Sequence, residues 1–173
     1  MAEDVGPPGY LPADDFERIR ASVPLACVDL LPWRRTASGV EVLLIERRQR
    51  SNPTGWALVG GRIMHGETIA QAAARHLKET LGAAASMRPR DFSRPDRVAE
   101  YRRGSKGDGG GTFDLDRHSV ALNYCVEPGG EPRAGGEALG LRWFDGGELP
   151  AAERVVFGQH GLIAELAGPL AWS

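Results

Sequence analysis

The stretch Gly55–Ala83 reads GWALVGGRIMHGETIAQAAARHLKETLGA: a glycine pair, a short loop ending at Glu67, and an apolar-periodic run closed by Gly82. Ile69, Ala72, Ala73, His76, Leu77 and Thr80 recur at helical spacing, so a helix is expected over Thr68–Leu81 with Gly82 as its stop. On a helix advancing about 100° per residue, Arg75 and Glu79 stack one turn apart, with His76 and Thr80 flanking them. Ala73, Leu77 and Leu81 point the other way and supply the core contact. One face therefore stays polar and turns toward the glycine loop. The Gly60–Gly61 pair is expected to make a sharp turn that leaves a carbonyl free to reach a cation or ligand.

Upstream, Pro24–Leu31 (PLACVDLL) reads as a buried strand holding one conspicuous acid, Asp29, and Val40–Ile45 as a second strand entered through the Ser38–Gly39 turn. Asp14–Arg20 is expected to form a short helix with Phe16 and Ile19 as its apolar contacts. Residues 1–12, rich in Gly and Pro, read as an extended arm. A polar loop is expected over Arg47–Gly55. Downstream, strands are expected at Arg97–Arg102, Ser119–Val126 and Leu139–Phe144, and a helix over Glu153–Leu166, interrupted or delayed near Gly158–Gly161. Gly104–Gly111 (GSKGDGGG) reads as a flexible loop. The whole chain, 1–173, is expected to be one domain: an α/β/α sandwich with a mixed β-sheet.

Composition narrows the function. The 173 residues carry a net charge of −2, which argues against broad capture of nucleic acid. No apolar run is long enough to cross a bilayer. The acidic start (Met1, Ala2, Glu3, Asp4) lacks the basic and apolar regions of a secretory signal, so a cytoplasmic protein is expected. Cys27 and Cys125 sit in apolar stretches and read as buried free thiols. Against this neutral average stands a local excess of arginine at Arg47, Arg48, Arg50, Arg62 and Arg75. Planar guanidinium groups suit phosphate, so the expected partner is a small anionic ligand rather than a polymer.

The series Gly61, Glu67, Arg75, His76, Leu77, Lys78, Glu79, Thr80, Leu81, Gly82, Ala83 resembles the signature of the Nudix hydrolase superfamily in its spacing, and Trp56 and Gly60 occupy familiar places ahead of it. The resemblance implies the Nudix sandwich. It also implies a divalent cation, Mg²⁺ or Mn²⁺, held by helix glutamates, of which this chain keeps Glu79 while His76 and Thr80 stand at two others. A second acid usually comes from just before a strand containing Trp; Glu137, six residues ahead of Trp143, occupies that place. The implied metal site is the Gly60 carbonyl, Glu79 and Glu137. From the residues alone, Glu79 could instead simply pair with Arg75, and Glu137 could be a solvated loop acid.

The order PLACVDLL, IERR, GWALVGGR, GETIAQAAARHLKETLG, RHSVALNY further resembles the GDP-mannose mannosyl hydrolase branch. This implies substrate contacts from Asp29, Arg47, Arg62, Arg75 and His118, the arginines neutralising a diphosphate. The chain departs from that branch at Thr80, where its remaining helix glutamate would stand, and at Ala138, where its general-base histidine would. Glu79, Glu137 and His118 remain as candidate catalytic residues. The expected function is divalent-cation-dependent hydrolysis of a nucleoside diphosphate linked to another moiety, most plausibly a nucleotide sugar. The alternative is a catalytically weak or inert domain that binds a nucleotide or metabolite. A homodimer, with the amino-terminal arm packing on the partner, is implied by resemblance.

Overall fold

The computed structural model describes residues 11–48, 54–103, 113–114 and 118–170. The amino-terminal arm (but for residues 11 and 12), Arg50 and the Gly104–Gly111 loop lie outside the described residues. In chain order the elements are α1 (Ala13–Ser22), β1 (Leu25–Thr36), β2 (Gly39–Arg48), β3 (Thr54–Ala57), β4 (Val59–Arg62), α2 (Ile69–Leu81), β5 (Ser86–Met87), β6 (Arg97–Arg103), β7 (Phe113–Asp114), β8 (Ser119–Val126), β9 (Pro128–Gly129), β10 (Gly140–Asp145) and α3 (His160–Leu170).

β1 organises the sheet. Its apolar run pairs in parallel with β8 from Leu25↔Ser119 to Pro32↔Val126, and antiparallel with β4 through Cys27↔Arg62 to Leu30↔Val59. Its far end pairs antiparallel with β2, and the path runs β10-β2-β1-β8-β6-β7 with β3 beside β2 and β4 beside β1. The sheet is mixed, as the sequence leads one to expect. Side chains alternate across it. Val28 and its partner Gly61 face α2, because a Cβ on Gly61 would lie 2.9 Å from Cε1 of His76. Cys125, Tyr101 and Arg97 face α3: the Cys125 thiol reaches the Leu166 carbonyl at 3.6 Å and Arg97 pairs with Glu165. The helices thus cover opposite faces and give the expected sandwich.

Two local readings need correction. The Gly60–Gly61 pair is not a turn; both residues lie in β4. Glycine is needed at 60 because a Cβ there would stand 2.3 Å from the Val28 carbonyl oxygen and 2.7 Å from the Asp29 Cα. The requirement is close strand approach, not reversal. The segment Arg47–Gly55 is likewise not all loop, since β2 runs to Arg48 and β3 begins at Thr54. In Glu153–Leu166 the expected delay is present, with α3 starting only at His160. Two 3₁₀ turns, Ala152–Arg154 and Val156–Gly158, precede α3, and Phe157 takes φ 58°. That left-handed backbone blocks a continuous helix.

α2 forms as expected. Thr68 caps it, accepting from the Gln71 amide at 3.2 Å while the Gln71 side chain accepts from the Thr68 amide at 2.8 Å. Ala72, Ala73, Leu77 and Leu81 are fully buried against the sheet.

Candidate active site

β4 delivers Gly60, Gly61 and Arg62 to the amino-terminal side of α2, and the intervening loop is tied down by one acid. Glu67 accepts the Met64 amide at 2.9 Å and takes Arg75 across both oxygens, Nε at 2.6 Å and Nη2 at 2.8 Å. Arg75 Nη2 also donates to the Arg62 carbonyl at 2.9 Å, and Nη1 to Glu79 at 3.2 Å. Chiefly because Arg75 donates to it, the Glu67 carboxyl is held at about 2, below its ordinary 4.5. The same pairing raises the Arg75 guanidinium.

His76 sits against this staple. Its Nε2 lies 3.0 Å from the Arg62 carbonyl, which can only accept, so Nε2 carries the hydrogen. Burial lowers its basicity, with the Arg62 bond opposing, so the ring is neutral near pH 7. The Arg62 carbonyl thus receives Arg75 and His76 together, while the Arg62 side chain leaves in the opposite sense to lie 4.2 Å over the Phe16 ring.

The carboxyl end of α2 positions the second acid. Its unfilled carbonyls accept amides from a later loop: Arg133 bonds Leu81 and Gly135 bonds Thr80, both at 2.9 Å. Gly136, at φ 54°, crosses so closely that a Cβ would stand 2.8 Å from the Glu79 carbonyl oxygen. This brings Glu137 to the turn that carries Glu79. Glu137 accepts Arg47 Nη2 at 2.6 Å.

A pocket of about 500 Å³ results, lined by Arg47, Gly60, Gly61, Arg62, His76, Glu79, Thr80, Gly136 and Glu137. The structure therefore gathers Arg47, Gly60, Arg62, Glu79 and Glu137, five of the expected site residues, on one wall. Asp29 lies in a second cavity of about 30 Å³ that shares Arg47, Gly60 and Gly61 with the first. Arg75 lies outside both linings, with all three nitrogens engaged in the staple. His118 also lies outside them, at the start of β8, paired with Glu100 at 2.8 Å.

Sequence reading missed what supports Asp29. Gln159 accepts the Leu58 amide at 3.0 Å and donates to the Tyr101 hydroxyl at 2.7 Å, and Tyr101 donates to Asp29 Oδ2 at 3.0 Å. All three side chains are buried. Burial, and then the Asp29 charge, raise the Tyr101 hydroxyl well above its ordinary range, so it stays protonated and donating. The chain joins positions 29, 58, 101 and 159, a separation that no local periodicity announces.

Glu79 and Glu137 line the same pocket as Gly60, and carboxylate and carbonyl oxygens are the hard donors that Mg²⁺ or Mn²⁺ prefers. Among the described residues no cluster of three His, Cys, Asp or Glu side chains is placed to hold a metal. The set fits a cation bound jointly with an anionic ligand. No helix among the described residues is long and apolar enough to cross a membrane.

Similarity to known proteins bears on the fold and the family. A crystal structure from Jonesia denitrificans DSM 20603, described as a possible asymmetric diadenosine tetraphosphate (Ap4A) hydrolase, superposes with a TM-score of 0.73 at 32% identity, covering 86% of this chain and 98% of that one. The MutT Nudix hydrolase of Burkholderia pseudomallei gives 0.57 at 22% identity, covering 75% and 89%. A C. elegans Ap4A hydrolase binary complex gives 0.55 at 16%, covering 83% and 93%. No curated protein matches the chain. The fold is that of the Nudix superfamily. Within it, residues 6–165 match the model of a domain of unknown function, DUF4916, and the chain belongs to that family.

Proposed function

We propose that the protein is a divalent-cation-dependent hydrolase acting on a nucleoside diphosphate linked to another moiety. The observation that carries this reading is the meeting of Glu79, Glu137 and Gly60 with Arg47 and Arg62 around one pocket. When bound, the cation would neutralise diphosphate charge and lower the pKa of bound water. Glu79, Glu137 and the Gly60 carbonyl would hold it. Arg47 and Arg62 would take phosphate oxygens, and Asp29, fixed by Tyr101, would hold the substrate where the two cavities meet at Arg47. Arg75 acts on the substrate only through the loop it ties to Glu67. Water activation falls to Glu79 or Glu137, since His118 stands outside the pocket.

A nucleotide sugar is the linked compound that the sequence resemblance favours. The Jonesia protein, by its description, acts on a dinucleoside tetraphosphate, which contains the same nucleoside diphosphate unit. The decisive experiment is turnover of both substrate classes by the purified protein with Mg²⁺, with Mn²⁺ and with chelator. Cation-dependent product release establishes the hydrolase, and product identity tells attack at carbon from attack at phosphorus. Folded protein without turnover across the panel overturns the reading. The second reading, a nucleotide- or metabolite-binding domain with little or no catalysis, is favoured by the neutral His76 and buried Thr80 on the pocket wall.

A further inference from the structure

Arg47 stands where the two cavities meet and lines both. Its guanidinium lies 5.1 Å over the Phe157 ring, held there by the turn at which Phe157 adopts its left-handed backbone. Nη2 donates to Glu137 Oε2 at 2.6 Å. Nε is buried and has no hydrogen-bond partner among the described residues. An unpaired buried donor is costly, more so on a charged group, so it calls for an acceptor. In the planar fork, Nε–H and one Nη2–H point along the same edge, the edge that receives two oxygens of a phosphate side by side. A carboxylate takes one Nη2 bond, and Nε donates to no described residue.

We infer that Arg47 couples anion binding to cation binding by holding Glu137 away from the cation until an oxyanion arrives. The inference rests on the cation-dependent reading above. Without an anion, Glu137 neutralises Arg47. An oxyanion seated on Nε competes for Nη2 and for the charge, and Glu137 is released toward Glu79 and the Gly60 carbonyl. Thermodynamic reciprocity then requires each ligand to tighten the other.

The test is Mn²⁺ binding, followed by the free-ion paramagnetic resonance signal, in wild-type protein, Arg47→Gln, Glu137→Gln and the double variant, with no anionic ligand added. Arg47→Gln should bind Mn²⁺ about five-fold more tightly than wild type, the low end of ordinary coupling. That gain should shrink when Glu137 is already Gln. An equal gain on both backgrounds means Arg47 acts through charge alone and overturns the inference, as does no gain. In wild-type protein, sulfate at constant ionic strength should tighten Mn²⁺ binding relative to chloride, and Glu137→Gln should abolish the difference. A wild-type response that survives in Glu137→Gln overturns the inference without relying on an Arg47 variant. Mn²⁺ binding that ignores both manipulations removes the coupling but leaves the cation site. No Mn²⁺ binding by any of the four proteins removes both.

Discussion

Arg75 with Glu67 and Arg47 with Glu137 are the same chemical pair in two settings. Arg75 spends all three nitrogens, and Glu67 accepts on both oxygens from Arg75 and the Met64 amide. Both side chains are about three-quarters shielded, with 24% and 21% exposure. Arg47 makes one bond, leaves a buried Nε unpaired, and holds an acid that is 41% exposed. With four of its five guanidinium N–H donors spent, the Arg75 pair keeps little for a ligand and fixes backbone. An unsaturated one keeps capacity in reserve, at a cost to the empty protein. The signature residue Arg75 thus builds the loop, while Arg47, from outside the signature, faces the pocket.

The largest effect should come from the open side of this comparison. Glu79→Gln removes a carboxylate that is 52% exposed and whose protein contact is a long ion pair to Arg75. Cation-dependent turnover should fall about 100-fold, the upper end seen for lost metal-site contacts, which is about 2.7 kcal/mol. The melting temperature should hardly move, as for surface changes generally. Unchanged turnover would remove Glu79 from the site.

The closed side should respond in stability. Glu67→Gln breaks a charge-assisted pair and should cost about 2 kcal/mol in chemical denaturation. The pH profile gives this prediction a sharper edge. The folded carboxyl titrates at about 2, below the ordinary 4.5, so the folded state binds this proton less readily than the unfolded one. Its contribution is full above 4.5 and is lost as pH falls toward 2. The stability gap between wild type and Glu67→Gln should stay level between about pH 6 and 8 and close in the acid window. A gap that is flat down to the lower limit would mean Glu67 is not held by its charge.

How far the sequence was legible follows the range of the forces involved. α2 could be read because helical spacing and Gly82 are local signals, and the β1 run because burial on both faces leaves a continuous apolar stretch. The glycine pair was misread because glycine permits both a turn and a close strand approach, and only the neighbouring Val28 carbonyl decides between them. The interruption of the final helix was legible from its glycines, but the left-handed Phe157 beside them was not, since no bulky apolar residue advertises that backbone state. At the site, resemblance supplied Glu79, Glu137, Arg47 and Arg62. It could not show that Arg75 is tied to Glu67 or that His118 turns to Glu100, since both depend on partners brought by the fold. Tyr101 and Gln159 lay beyond reach for the same reason. Tyr101→Phe should cost about 1.5 kcal/mol by leaving Asp29 and Gln159 each one bond short, measured by urea denaturation. A neutral result would mean that the buried chain does not hold Asp29.

The smallest effect concerns the one residue that belongs to both sides. The Arg62 carbonyl is part of the closed staple, accepting Arg75 and His76; the residue also lines the pocket, and its guanidinium lies over Phe16. Arg62→Ala keeps the first role, because a carbonyl survives any side-chain change, and deletes the second. Binding of a nucleoside diphosphate should weaken about ten-fold, or about 1.4 kcal/mol, and binding of the matching nucleoside should change little. The lost cation–π contact with Phe16 is worth only about 0.5–1 kcal/mol at an exposed site, so stability should fall by less than in Glu67→Gln. Calorimetric titration with the two ligands separates the cases. Equal loss for both would mean that the side chain supports the fold through Phe16 and does not read phosphate. Loss confined to the diphosphate would place the boundary between scaffold and site within a single residue.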